Sequence, residues 1–198
     1  MHQNFLDTYF PIVFIFLVFL FVYGVSSFSG KRKFKNLSGT INGSVSKFSF
    51  WPRFKGEYQG LSFAINLLPA GKSTPPHLVI SVLKTSSFVL RIYKESMFAD
   101  LGKRIGVVHE VKINDDSFDR EFLIFSNNHE QAVNYLNNSA IKETIKGFFD
   151  DGFSELVISK KSLFIRKPNY SVDGDLSHQN ISTLLQKLNL LARGLYGE

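Results

Sequence analysis

Asp115, Asp116, Asp119 and Glu121 crowd one short stretch of the chain, and carboxylate oxygens at that density suit a hard cation such as Ca2+ or Mg2+. The spacing lacks the alternating ligands and central glycine of a calcium loop, so the four read as solvated carboxylates in a turn between two strands. His77, His109, His129 and His178 are far apart, and none belongs to a His-Glu-x-x-His pair that would present two imidazoles on one helix face. The chain has no cysteine, which excludes disulfides, thiolate zinc sites and cysteine nucleophiles together. Gly71-Lys72-Ser73 has the ending of a phosphate-binding loop. Asn66 stands where the first glycine of that loop belongs, however, and Thr74-Pro75-Pro76 follows where a helix must begin. A Gly-x-Ser-x-Gly nucleophile elbow is absent from the sequence. Catalysis would therefore need a site assembled only by folding, with Asp119, Glu121 and His109 as the candidate acid–base groups. No catalytic residue, metal or cofactor is assigned.

Outside the first thirty residues, the densest aromatic run is Phe48-Ser49-Phe50-Trp51-Pro52-Arg53-Phe54. Alternating rings fill a sheet core, with Trp51 closing its edge; the functional alternative is a partner patch of Trp51, Arg53 and Phe54, because Trp and Arg are favoured at interfaces.

The elements that must position these residues are mostly strands. A short strand is expected around Val45–Phe50 and another over Arg53–Tyr58, and the glycines on either side of Tyr58 mark a bend or bulge leading onward. Leu61, Phe63, Ile65 and Leu67 alternate with Ser62, Ala64 and Asn66, the period of a half-buried strand. Leu78–Leu83 and Phe88–Tyr93 read as a hairpin joined by Lys84-Thr85-Ser86-Ser87. Ile105–Ile113 and Glu121–Phe125 add strands on either side of the acidic turn. Glu130–Leu136 and Ile141–Phe149 read as helices, the second capped by Asn138 or Ser139. Glu155–Ser159 and Ser162–Arg166 form a hairpin. Ile181, Leu184, Leu185, Leu188, Leu191, Ala192 and Leu195 then make the stripe of an amphipathic helix capped by Ser177. Strands first and helices mostly afterwards predict an α+β fold, a mainly antiparallel sheet with helices packed on one side.

An apolar segment precedes this domain. No charge falls between Asp7 and Lys31, and about 20 helical residues cross a bilayer core. The sequence thus predicts a transmembrane helix at about 9–28 within an N-terminal segment 1–30, a basic and polar tether over 31–45, and a domain over 46–198. Lys31, Arg32, Lys33 and Lys35 follow the apolar run. By the rule that basic flanks stay cytoplasmic, they place the N-terminus outside and the domain in the cytoplasm of a single-pass inner-membrane protein. The partners expected are the lipid bilayer and another membrane protein, with the domain acting as a cytosol-facing binding or scaffold unit. An exported envelope domain is the alternative topology.

Net charge is +6, but setting aside the four basic flank residues and Asp7 from the 23 basic and 17 acidic residues leaves only about +3. The remaining cations are scattered among carboxylates, so no nucleic-acid footprint is present.

Phe54-Lys55-Gly56-Glu57-Tyr58-Gln59-Gly60, the run Ser117-Phe118-Asp119-Arg120-Glu121-Phe122 and the closing hairpin-plus-helix together resemble a group of uncharacterised bacterial membrane-anchored proteins. In these an apolar N-terminal segment precedes a domain of unknown function. The resemblance covers residues 50–195, implies a bacterial inner-membrane setting, and brings no catalytic residues with it.

Overall fold

Alternation of apolar and polar side chains is the organising signal of this chain, and it produces one large sheet. The structure, a computed structural model, describes residues 3–46, 51–96 and 109–195. Among these residues the strands are β1 (Gly43–Val45), β2 (Arg53–Tyr58), β3 (Leu61–Leu68), β4 (His77–Leu83), β5 (Leu90–Lys94), β6 (His109–Glu110), β7 (Phe122–Ser126), β8 (Glu155–Ile158) and β9 (Ser162–Pro168). They form a single nine-stranded antiparallel sheet in the order β1-β2-β3-β4-β9-β8-β5-β7-β6. The helices are α1 (Gln3–Leu37), α2 (Asp116–Glu121), α3 (His129–Leu136), α4 (Ser139–Asp150), α5 (Val172–Asp175) and α6 (His178–Gly194).

One parity of the strands faces the helices. Phe54, Phe63, Ile65, Leu78, Ile80, Leu90, Ile92, Phe122, Ile124, Leu156 and Ile165 share a single core with the buried apolar residues of α1, α2, α3, α4 and α6. The second, smaller cluster of Tyr93, Leu123 and Phe125 belongs to the opposite parity and contains no helix residue. The helical layer therefore covers one side only. Local chemistry sets the helix starts: Asn138 accepts hydrogen bonds from the N–H groups of Ala140 and Ile141, and Ser177 accepts from Asn180 N–H. At the β2–β3 turn, Gln59 and Gly60 have φ of 49° and 80°, the left-handed pair that a two-residue antiparallel loop requires. Gly56 is fixed for another reason, since a Cβ there would collide with the Asn42 carbonyl and lie 2.8 Å from the Phe63 ring.

Several expectations are corrected. The apolar N-terminal segment is part of α1, a helix of 35 residues, and among the described residues no helix is long and apolar enough to cross a membrane. The transmembrane helix at about 9–28 is withdrawn on that finding, as are the membrane placement and the single-pass inner-membrane topology built on it. The basic cluster that served as the topology signal forms the last turns of the same helix, and its neighbours Phe34 and Leu37 are buried in the domain core. Residues 31–45 are accordingly not a tether: they finish α1, turn, and enter β1. Phe34 stacks on Phe54 at 5.7 Å, and Phe54 meets Phe63 at 5.9 Å, so α1 is joined to the sheet by a run of rings.

The β4–β5 hairpin does not form. β4 pairs with β3 and β9, β5 pairs with β7 and β8, and the β8–β9 hairpin lies between them. The loop after β4 is held along that hairpin by Lys84 N–H and Ser86 N–H, which donate to the carbonyls of Lys161 and Lys160. The acidic turn is the short helix α2, N-capped by Asp115. Of the strands expected over Val45–Phe50 and Ile105–Ile113, residues 47–50 and 105–108 lie outside the described residues, and the described remainder is β1 and β6.

Because Phe34 is fully buried between helix and sheet, Phe34→Ala is expected to lower the unfolding free energy by about 3–5 kcal/mol. Urea unfolding of the full chain, followed by far-ultraviolet circular dichroism, measures it; a change within experimental error would mean that α1 does not dock.

Candidate functional site

The side of the sheet away from the helices is chemically organised by register. One row runs Arg53, Asn66, Val79, Arg166, Glu155, Tyr93 and Leu123 across seven adjacent strands. The next runs Lys55, Ala64, Ser81, Phe164, Val157, Arg91 and Phe125. The small or short residues Asn66, Ala64, Val79 and Ser81 therefore occupy β3 and β4, between Arg53 and Lys55 on one side and Arg166 and Phe164 on the other. With strands about 4.8 Å apart, the two walls stand roughly 14 Å from each other, wide enough for one extended chain. Asn66, Val79 and Ser81 are half-buried, as residues in the floor of a shallow trough must be.

The wall on β9 is paired in part within the chain. Arg166 Nη1 lies 3.1 Å from Glu155 Oε2, and the Tyr93 hydroxyl donates to Glu155 Oε1 at 2.9 Å. The Arg166 guanidinium also lies over the Phe164 ring at 6.0 Å. Burial, and then the neighbouring Glu155 charge, push the Tyr93 hydroxyl up to about 12, so it remains a donor throughout the neutral range. Both walls nevertheless keep a buried donor without a hydrogen-bond partner, Arg53 Nε on β2 and Arg166 Nε on β9. Buried donors are ordinarily paired, and both of these lie on the trough side of the sheet. A carboxylate lying in the trough would supply the missing acceptors through charge-assisted hydrogen bonds.

The residues singled out in the sequence are dispersed. Arg53 lies in the trough wall and Trp51, half-buried, precedes it, but Phe54 has the opposite parity and is completely buried, so it cannot form part of a partner patch. Lys31, Arg32 and Lys35 are exposed on α1, and Lys33 pairs with Asp173 at 2.5 Å. Asp115 caps α2 and bonds Lys142, which with Phe118 N–H and the Ser117 hydroxyl holds its carboxyl well below the usual carboxylate range. Asp119 accepts from Ile113 N–H at 3.1 Å, Glu121 lies 4.0 Å from Lys146, and His109 is exposed at the sheet edge. Asp119 and Glu121 thus serve their own local structure. The histidines at 77, 109, 129 and 178 stand on four different elements, and among the described residues no group of three metal-ligating side chains occurs. Gly71-Lys72-Ser73 is an exposed loop closed by Gly71 N–H donating to the Thr74 carbonyl. The trough itself was missed because it depends on β4 pairing with β9; the alternation of Asn66, Ala64, Val79 and Ser81 was the available signal.

The architecture is that of an α+β protein with a one-sided helical layer over an antiparallel sheet. A solved structure with this fold is the crystal structure of the mycobacterial trehalose monomycolate transport factor A, TtfA, at TM-score 0.54 and 12% identity, covering 83% of this chain and 95% of that one. At that identity the likeness establishes a shared fold. No protein-family model matches the chain, and no curated protein matches it in sequence, so the resemblance to membrane-anchored domains rests on its quoted residues alone.

Glu155→Gln is expected to lower the Tyr93 titration midpoint from about 12 while leaving it above 10, because burial is the larger cause of the shift and survives the substitution. The raised value means the folded state holds the Tyr93 proton more tightly than the unfolded chain does. The resulting stabilisation is complete below pH 10 and is lost as pH rises from 10 to about 12. Ultraviolet phenolate titration, with Tyr93→Phe identifying the signal, checks both points.

Proposed function

We propose that this chain is a non-enzymatic accessory subunit of a transport process, one that holds an acidic, extended segment of a partner protein in the trough on the helix-free side of its sheet. The observation that carries the reading is the juxtaposition of a small-residue floor with cationic walls whose buried Nε donors at Arg53 and Arg166 lack acceptors. A carboxylate-bearing strand would lie along β3 and β4, place acidic groups toward Arg53 and Lys55, and cover Val79 and Phe164 with its apolar positions. The shared fold with a protein titled as a trehalose monomycolate transport factor supports a role in the movement of envelope lipid, exercised through binding. The local engagements of Asp119 and Glu121 favour binding over covalent chemistry.

Photocrosslinking in the native host tests this. A benzoylphenylalanine at Ser81, in the trough floor, is expected to capture one dominant protein, whereas the same probe at Glu143, exposed on α4, captures none. The double variant Arg53→Glu/Lys55→Glu is expected to reduce the Ser81 adduct by at least about tenfold, the scale of losing one desolvated charge pair. Equal labelling at both positions, or an adduct indifferent to the charge reversal, would overturn the reading.

A further inference from the structure

A cleft at the helical layer is a separate feature of the molecule, read independently of the trough. The start of α4, the end of α6 and the β2–β3 turn line an open cleft of about 340 Å3. Small-molecule sites span roughly 300–1,000 Å3, so the cleft is large enough for a compact ligand. Its polar lining is unusual in kind: Gln59, Asn138, Gln186 and Asn189 contribute four carboxamides, and Arg193 contributes the one charge. Ile141 and Leu190 supply the apolar part.

Two of those carboxamides are placed at a cost. Asn189 is only 5% exposed and interrupts the leucine stripe of α6, where a polar side chain is expensive to bury without a partner. Its Nδ2 donates to Gln59 Oε1 at 2.5 Å. Gln59 in turn occupies a left-handed backbone position that glycine, asparagine or aspartate would fill with less strain. A leucine at 189 and a glycine at 59 would serve the fold better. Meanwhile the side chains of Gln186 and Arg193 make no hydrogen bond to the protein among the described residues.

The chemistry of the lining selects the ligand. An anion would seek the N–H groups at the start of α4, but the Asn138 side chain already accepts from Ala140 and Ile141, and Arg193 is a single cation. A metal would need carboxylate or imidazole ligands, and the lining has neither. A nucleobase would want an aromatic platform, which is also missing. A carboxamide presents one acceptor and two donors in a plane, which matches hydroxyl groups that both give and take a hydrogen bond. We propose that this cleft binds a neutral, polyhydroxylated ligand of the sugar class, with the Gln59–Asn189 pair as its fixed floor and Gln186 and Arg193 closing on the hydroxyls.

The test is a titration of the 15N-labelled full chain with maltose and with myo-inositol, using citrate as the anionic comparison and following amide shifts. Saturable shifts confined to residues 59, 138–141 and 186–194 are expected with at least one neutral probe and not with citrate. Gln186→Ala and Arg193→Ala, both at exposed positions, are expected to weaken that binding by roughly three- to tenfold each while leaving thermal unfolding unchanged. Three results would overturn the proposal: no saturable shift with either neutral probe, citrate shifts at the same residues, or neutral-probe binding that both variants retain in full.

Discussion

Pairing of β4 with β9, from His77 against Pro168 to Leu83 against Ser162, makes one sheet out of two antiparallel halves. Without it, β1 to β4 would be a four-stranded meander with an open edge, and the remaining strands a second sheet with another. The pairing puts Leu78, Ile80 and Val82 on the same face as Leu163 and Ile165, and α6 rests against both strands. A single helical layer can then cover the whole inward parity. The opposite parity is left to be polar, small or self-paired, and the trough is a direct result: the short side chains of β3 and β4 fall beside the long ones of β2 and β9 because the seam aligns them.

Legibility in the sequence followed the range of the interaction. β3 and α6 could be read within a few residues of their true limits, because a strand with one buried face and a helix with one buried stripe write their own periods into the chain. Ser177 was legible as a cap, and the cap of α4 was narrowed to Asn138 or Ser139, of which Asn138 is the one, since a cap acts within three residues. Partner choice between strands was not. The four-residue link Lys84–Ser87 suits a hairpin, but it instead runs beside Lys160 and Lys161 because β9 pairs along β4 and β8 along β5, occupying the edges that a β4–β5 hairpin would have used. The apolar run of α1 misled in a related way: length and hydropathy carry no information on whether a helix continues through its basic end and packs Phe34 and Leu37 into the core. Asn189 lies beside the leucine stripe of α6 and is buried with it, and a polar residue at such a position is the sequence signal that points to the cleft.

The two surfaces differ in how their polar groups are balanced. At the β5–β8–β9 end of the helix-free face, Glu155 is shared by Arg166 and Tyr93, and Tyr93 packs edge-on to Phe125 at 6.3 Å. Charge is largely reconciled there within the chain, although the buried Arg166 Nε still lacks an acceptor. At the β2 end, Arg53 brings a buried donor to a row whose next members, Asn66 and Val79, carry no carboxylate. A buried unpaired donor forfeits free energy in the isolated protein that an arriving acceptor restores. The two walls thus share an unmet donor and differ in charge balance, since Arg166 already has the Glu155 carboxylate beside it, and the groups around Arg53 in its row bring none.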